Sequence, residues 1–330
     1  MSMTTMCSAR AWLAAALVAL APMVWAKPAP YPDKPIRLIV GFPAGGASDV
    51  AARAIADKMA AGLGQSIIVE NKPGAASNIG ANFVAKSDPD GYTMLFGTIS
   101  LAINRSLYKH PGYDSLHDLA AVSELASAPF LLVVNPASPI HSVAQLIAAA
   151  KKDSANHKPM QFASAGNGSG AHLFTELFTD LAGIQLQHVP YRGAAPAMAD
   201  VLGGRVMLTF DNIITTLPLV KGGRLRALAV SSAQRSKVAP EIPTMQEAGV
   251  QGYDATSWFG LFVPKGTPPA VVSRLSKAAD QAVHDPAVSR VLMHVGAEPV
   301  GSSPEAFSSF FKSEVGKWAQ VVHRAHVQIE

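Results

Sequence analysis

Cysteine is nearly absent from these 330 residues, and the single one, Cys7, lies close to the amino terminus. An intrachain disulfide and a thiolate zinc site are therefore excluded. Charged residues are also few, at 15%, and the formal net charge of +4 is neither gathered into a basic run nor interleaved with aromatics. That pattern predicts no nucleic-acid surface, while a mild attraction for small anions fits it. The ten histidines include no H-E-x-x-H pair. A dinucleotide fingerprint needs G-x-G-x-x-G. Gly41, Gly45 and Gly46 miss that spacing, and Gly166, Gly168 and Gly170 run G-x-G-x-G. Neither loop carries the lysine of a P-loop, and Asn167 stands where a nucleophile elbow around Ser169 needs glycine. No catalytic constellation, metal set or cofactor site is expected.

Long apolar runs are missing too, except at the start. Arg10 supplies a positive flank, residues 11–24 an apolar stretch, and Val24-Trp25-Ala26 a small-residue cleavage pattern. Residues 1–26 thus read as a signal peptide cleaved after about Ala26, giving an exported chain that begins at Lys27. The stretch is shorter than the roughly 20 residues that cross a bilayer. Cys7 precedes it, which argues against a lipoprotein anchor. With 49% hydrophobic residues, the remainder can bury one large core or two ordinary ones.

What the chain does have is a repeated device. Ile36-Arg37-Leu38-Ile39-Val40 reads as a buried strand, residues 41–48 as a glycine-rich loop, and Asp49 to Leu63 as a helix. Further on, residues 160–164 read as a strand, 165–170 as a second glycine loop, and 171–181 as a helix with Leu173, Phe174, Leu177 and Phe178 on its apolar face. Glycines let backbone amides at a helix start face a ligand, and the helix dipole makes that ligand an anion. Two such starts suggest two lobes that clamp a small carboxylate.

Between these segments, 66–70 and 92–98 read as strands, 81–86 as a helix, and 98–104 as a polar loop. The loops 41–48, 74–79 and 97–104 then belong at the carboxyl edge of one parallel sheet. A second series begins with a strand at 130–134. A helix follows from Ser142, which with Gln145 fits a capping box, and the helix at 194–202 and strands at 205–210 and 224–230 complete the series. A strand at 258–264, a helix from Thr267 to about His284, a helix capped at Asp285-Pro286, and one opened by Ser303-Pro304 close the chain. In the last helix Phe307, Phe310, Phe311, Val315, Trp318, Val321 and Val322 form one stripe, read as core.

Several polar residues admit two roles. Asp49 and Arg53 lie on one helix face, as a surface pair or as shapers of the first loop, and an unpaired Asp49 would repel a carboxylate. His172 could donate to an anion or make a structural hydrogen bond. Arg192, in Tyr191-Arg192-Gly193, could pair with a carboxylate or be ordinary surface. Asp211 could face a ligand or cap the next element.

Ile36 to Gly46 with Asp49 and Arg53, Val69-Glu70-Asn71-Lys72-Pro73-Gly74-Ala75, Pro89-Asp90-Gly91-Tyr92-Thr93 and His188-Val189-Pro190-Tyr191-Arg192-Gly193 together resemble the solute receptors of tripartite tricarboxylate transporters, the Bug receptors. Arg226-Ala227-Leu228-Ala229-Val230, Pro243-Thr244 with Glu247-Ala248-Gly249, and Trp258-Phe259-Gly260 are similar to that family as well. The resemblance implies a periplasmic α/β protein of the two-lobe Venus flytrap kind, type II-like, with a hinge. Lobe 1 would be 27–127 plus 254–330, and lobe 2 would be 128–253. It also implies a small carboxylate ligand, mono- or dicarboxylic and including amino or aromatic acids, and a partnership with membrane permease subunits by a monomeric receptor. Carried over residue by residue, the ligand contacts are Phe42, Ala44, Gly45, Gly46 and Ser48 in the first loop and Ser164, Gly166, Asn167, Gly168 and Ser169 in the second, with Thr98, Tyr191 and Asp211. Ala75-Ala76-Ser77 departs from the family's usual glycine run. The alternatives are a sensing partner using the same closure and an exported hydrolase built on Ser169 or His172.

Overall fold

The computed structural model describes residues 31–325, so the signal-peptide segment lies outside the described residues. Every element below falls in the unit that begins at Lys34. The run Ile36–Val40 is β1, buried except at Arg37, and it pairs in parallel with β2 (Ile67–Asn71) and β3 (Thr93–Thr98). Such a run has no polar face to offer water, so it takes the middle of a sheet covered on both sides. The covering helices are α1 (Ala47–Leu63) and α2 (Asn78–Ala85). α1 buries Ala51, Ala52, Ile55, Ala56, Met59 and Leu63, and stops where Gly64 turns left-handed and returns its amide to Ala60.

Residues 98–104 are not the expected loop. They lead into α3 (Ser100–Leu107), whose first turn is held by Thr98 Oγ1 accepting from the Ser100 amide at 3.3 Å. Leu101, Ala102, Ile103 and Leu107 are buried, and that packing outweighs a weak local signal. The strand expected at 130–134 is also longer, because β4 runs Leu119–Val134. Up to Pro129 it pairs antiparallel with β9 (Thr256–Pro264). From Phe130 it pairs with β7 (Leu208–Asn212), and from Leu131 with β8 (Arg226–Val230). One strand therefore runs through the expected boundary between 127 and 128.

The second series comprises α4 (Val143–Ala155), β5 (Gln161–Ser164), α5 (Gly170–Ala182), β6 (Gln187–Pro190), α6 (Ala194–Leu202) and, between β7 and β8, α7 (Ile213–Lys221). β5 lies parallel between β6 and β7. Ser142 caps α4 by accepting from the Gln145 amide, while the Gln145 side chain reaches the His141 amide, one residue earlier than a capping box requires. The chain ends in α8 (Pro269–Val283), α9 (Pro286–His294), β10 (Glu298–Pro299) and α10 (Pro304–Arg324). The sheet order is β2-β1-β3-β9-β4-β7-β5-β6, with β8 and β10 also on β4.

The stripe on α10 is core. Phe307, Phe311, Val315, Trp318, Val321 and Val322 are buried, and the Trp318 ring stacks on Phe174 of α5 with centroids 5.4 Å apart. Glu314, buried among them, accepts from the indole N–H groups of Trp258 (3.3 Å) and Trp318 (2.9 Å) and pairs with Lys317. One apolar cluster accordingly runs from Ile39 and Leu95 through Trp258 and Phe307 to Phe162 and Phe210.

Candidate ligand site

The loop after β1 is tied down by Asp49, which is only 3% exposed at the start of α1. Its Oδ2 accepts from the Gly45 amide at 2.9 Å and from Arg53 Nε at 3.0 Å, and its Oδ1 accepts from Asn71 Nδ2 at 2.9 Å. Asn71 Nδ2 also donates to the Phe42 carbonyl at 3.0 Å. These bonds, that to Arg53 foremost, pull the Asp49 carboxyl down to about 2. The negative charge that could have repelled a ligand is thus paired, and Asp49 and Arg53 shape the loop. Gly45 takes φ +82° and its amide is committed to Asp49. Ala44, Gly45 and Gly46 are exposed, with Phe42 and Ser48 half-buried.

The turn after β2 packs on this loop. A Cβ on Gly41 would overlap Ser77, so only glycine fits there. Ala75, Ala76 and Ser77 all have positive φ, 46° to 79°. Left-handed residues with side chains are strained, and Asn104 of α3 braces the turn through the Ala76 carbonyl at 2.8 Å.

In the second loop Gly166 and Gly168 have φ +123° and +74°, and a Cβ on Gly168 would come within 2.6 Å of Leu107 in α3. Ser169 is the N-cap of α5, its Oγ facing the His172 amide at 3.4 Å. Beside it lies a cavity of about 150 Å³. Its wall includes Phe130, Ser169, Met198, Thr209, Phe210 and Asp211 and the first residues of α5 and α6. The opening turns of both helices carry amides without intrahelical partners, and α6 has no side-chain cap. Asp211 is the one ionisable residue in that wall, and burial pushes its carboxyl up to about 6. It also bonds the Asn212 amide and Thr215 at the start of α7.

Of the expected contacts, Ser169 and Asp211 line this cavity. The first-loop residues and Thr98 do not, since they stand at the carboxyl edge of β1 and β3. Gly166, Asn167 and Gly168 are not in that wall, and Asn167 is exposed. Ser164 is fully buried and bonded to Gly166 and His188. The Tyr191 hydroxyl donates to Asp200 at 2.6 Å, and Arg192 is exposed. The sequence did not single out Phe130, Met198, Thr209 or Phe210. Their one signal is position, at or beside the ends of strands or helices that meet at the same edge.

The model of the tripartite tricarboxylate transporter family receptor matches residues 51–327. The chain belongs to that family. It is 38% identical over 302 residues to Protein BugT of Bordetella pertussis, covering 91% of this chain and 92% of BugT. The structure of R. palustris Rpa4515 with adipate matches at 36% identity and a TM-score of 0.74, covering 90% of this chain and 99% of that one. MatC (Rpa3494) from Rhodopseudomonas palustris with bound malate matches at 29% identity and 0.69, covering 88% and 100%. A tricarboxylate-type receptor is a binding protein and not an enzyme, in keeping with the geometry at both serines. Ser169 caps a helix, and Ser164, although beside a histidine, is sealed from substrate. Among the described residues no helix is long and apolar enough to cross a membrane.

Proposed function

We propose that this chain captures a small mono- or dicarboxylic acid in the periplasm and delivers it to the permease subunits of a tripartite tricarboxylate-type transporter. Closure of residues 27–127 plus 254–330 onto 128–253 would bring the Asp49-braced loop towards the cavity beside Ser169. The observation that carries this is the cavity wall. Two helix N-termini converge on it with no cationic side chain, an arrangement in which amides do the work of holding an anion. The bound adipate and malate of its structural relatives fit the same chemistry.

A thermal-shift panel on the mature protein tests it. Adipate, malate and a set of aromatic and amino acids should include stabilising ligands, and glucose and other neutral sugars should not. A ligand at 100 times its Kd adds about 2.7 kcal/mol, enough to displace the melting curve. Stabilisation by sugars and by none of the acids would sink the proposal.

A further inference from the structure

Behind the second glycine loop two imidazoles lie face to face. His172, in the first turn of α5 and 4% exposed, stacks on His188 of β6 with centroids 3.9 Å apart and planes 8° from parallel. Phe162 of β5 continues the stack on His188 at 4.8 Å and 17°. Each ring is wired to the loop. The Gly168 amide donates to His172 Nδ1 at 3.1 Å. His188 Nε2 lies 2.6 Å from Ser164 Oγ, which also accepts the Gly166 amide at 3.1 Å. A ring nitrogen that accepts carries no proton, so His172 is the neutral Nε2–H tautomer, with Nε2 facing Glu176 at 3.6 Å. Burial above all pushes His188 down to about 4, so it too is neutral at ordinary pH.

We propose that His172 and His188 are positioning residues which hold the Gly166–Gly168 backbone in its left-handed course, so that Ser169 and the first amides of α5 face the cavity. They act through the loop and touch no ligand. The proposal rests on the reading of that loop as half of an anion clamp, yet its first observable does not need a ligand.

The test uses the whole mature chain, with adipate as the probe and circular dichroism as the folding control. Long-range proton–nitrogen NMR should show His172 Nδ1 unprotonated in the parent. His172→Leu removes the acceptor and should speed hydrogen exchange at the Gly168 amide, leaving the later amides of α5 unchanged. Adipate affinity should fall about tenfold, the scale of one lost hydrogen bond. His172→Asn places an oxygen near the Nδ1 position and should restore both. His188→Leu should loosen the Gly166 amide, and His188→Gln should rescue it. A protonated Nδ1 in the parent, or Gly168 exchange unchanged in a folded His172→Leu, overturns the proposal. If the parent binds neither adipate nor any other acid, the clamp reading fails instead, and the exchange and tautomer results still decide the loop's support.

Discussion

Gly45 and Gly46 are neighbours in sequence and opposites in conformation. Gly45 has φ +82° with open space around a would-be Cβ, whereas Gly46 has φ −77° and would meet only the Pro43 carbonyl at 3.5 Å. Gly45→Ala should therefore cost about 1 kcal/mol, all of it conformational, while Gly46→Ala should stay within roughly 0.5 kcal/mol. Urea titrations of the two variants check this, and a reversed order would mean that the loop is set differently. Asp211 gives a prediction of another kind. A carboxylate arriving beside it raises its affinity for a proton further, so binding takes up a proton and strengthens as pH falls from 7 towards about 6. Asp211→Asn should bind at least as well as the parent at pH 7.5 and lose that pH dependence, both measurable by calorimetry in buffers of different ionisation heat.

At the scale of elements, legibility followed the source of stability. α4, α9 and α10 announced themselves because Ser142, Asp285 and Ser303 cap them with their own side chains, information that is local and present in the sequence. α7 did not. Asn212 caps it as well, but Ile213, Ile214, Thr215 and Thr216 are β-branched and Pro218 lies inside it, so the local signal is weak and the helix stands because Ile213, Thr216 and Leu217 are buried against the sheet. The first half of β4 was hidden for the converse reason: Ala120, Ala121, Ser123 and Glu124 are weak strand formers, recruited by pairing with β9. The two glycine loops were legible as strand–loop–helix turns, but which residues wall the cavity depended on where α6 and β4 ended up. Glu124, on that hidden half, is pushed up to about 7 by burial and by Glu314 and Asp254. The folded protein keeps a proton there that the unfolded chain releases near 4.5, so this contribution is intact below pH 4.5 and is lost as pH rises to 7. Glu124→Gln, neutral throughout, should gain on the parent by up to about 3 kcal/mol between pH 4.5 and 8, read from melting temperatures across that range. On α10, Trp318→Ala should cost roughly 3–5 kcal/mol in urea unfolding, since it opens a cavity against Phe174 and strands Glu314 without one of its donors.

For the molecule as a whole, the proposed closure has to occur around a core that does not stop at 127. β4 pairs with β9 at one end and with β7 and β8 at the other, and Trp318 of α10 rests on Phe174 of α5. Movement can then only be a flexing about these shared elements, driven by whatever extra affinity the ligand has for the closed arrangement. The shared strand has a practical corollary for anyone who wants to take the receptor apart. Expressed alone, residues 128–253 would lose the Trp318 face that covers Phe174 and would begin inside β4, cut from the half of that strand that pairs with β9. Such fragments should be recovered from aggregates and not as folded modules. Fusions and reporter insertions therefore belong in exposed loops that leave β4 and α10 uncut.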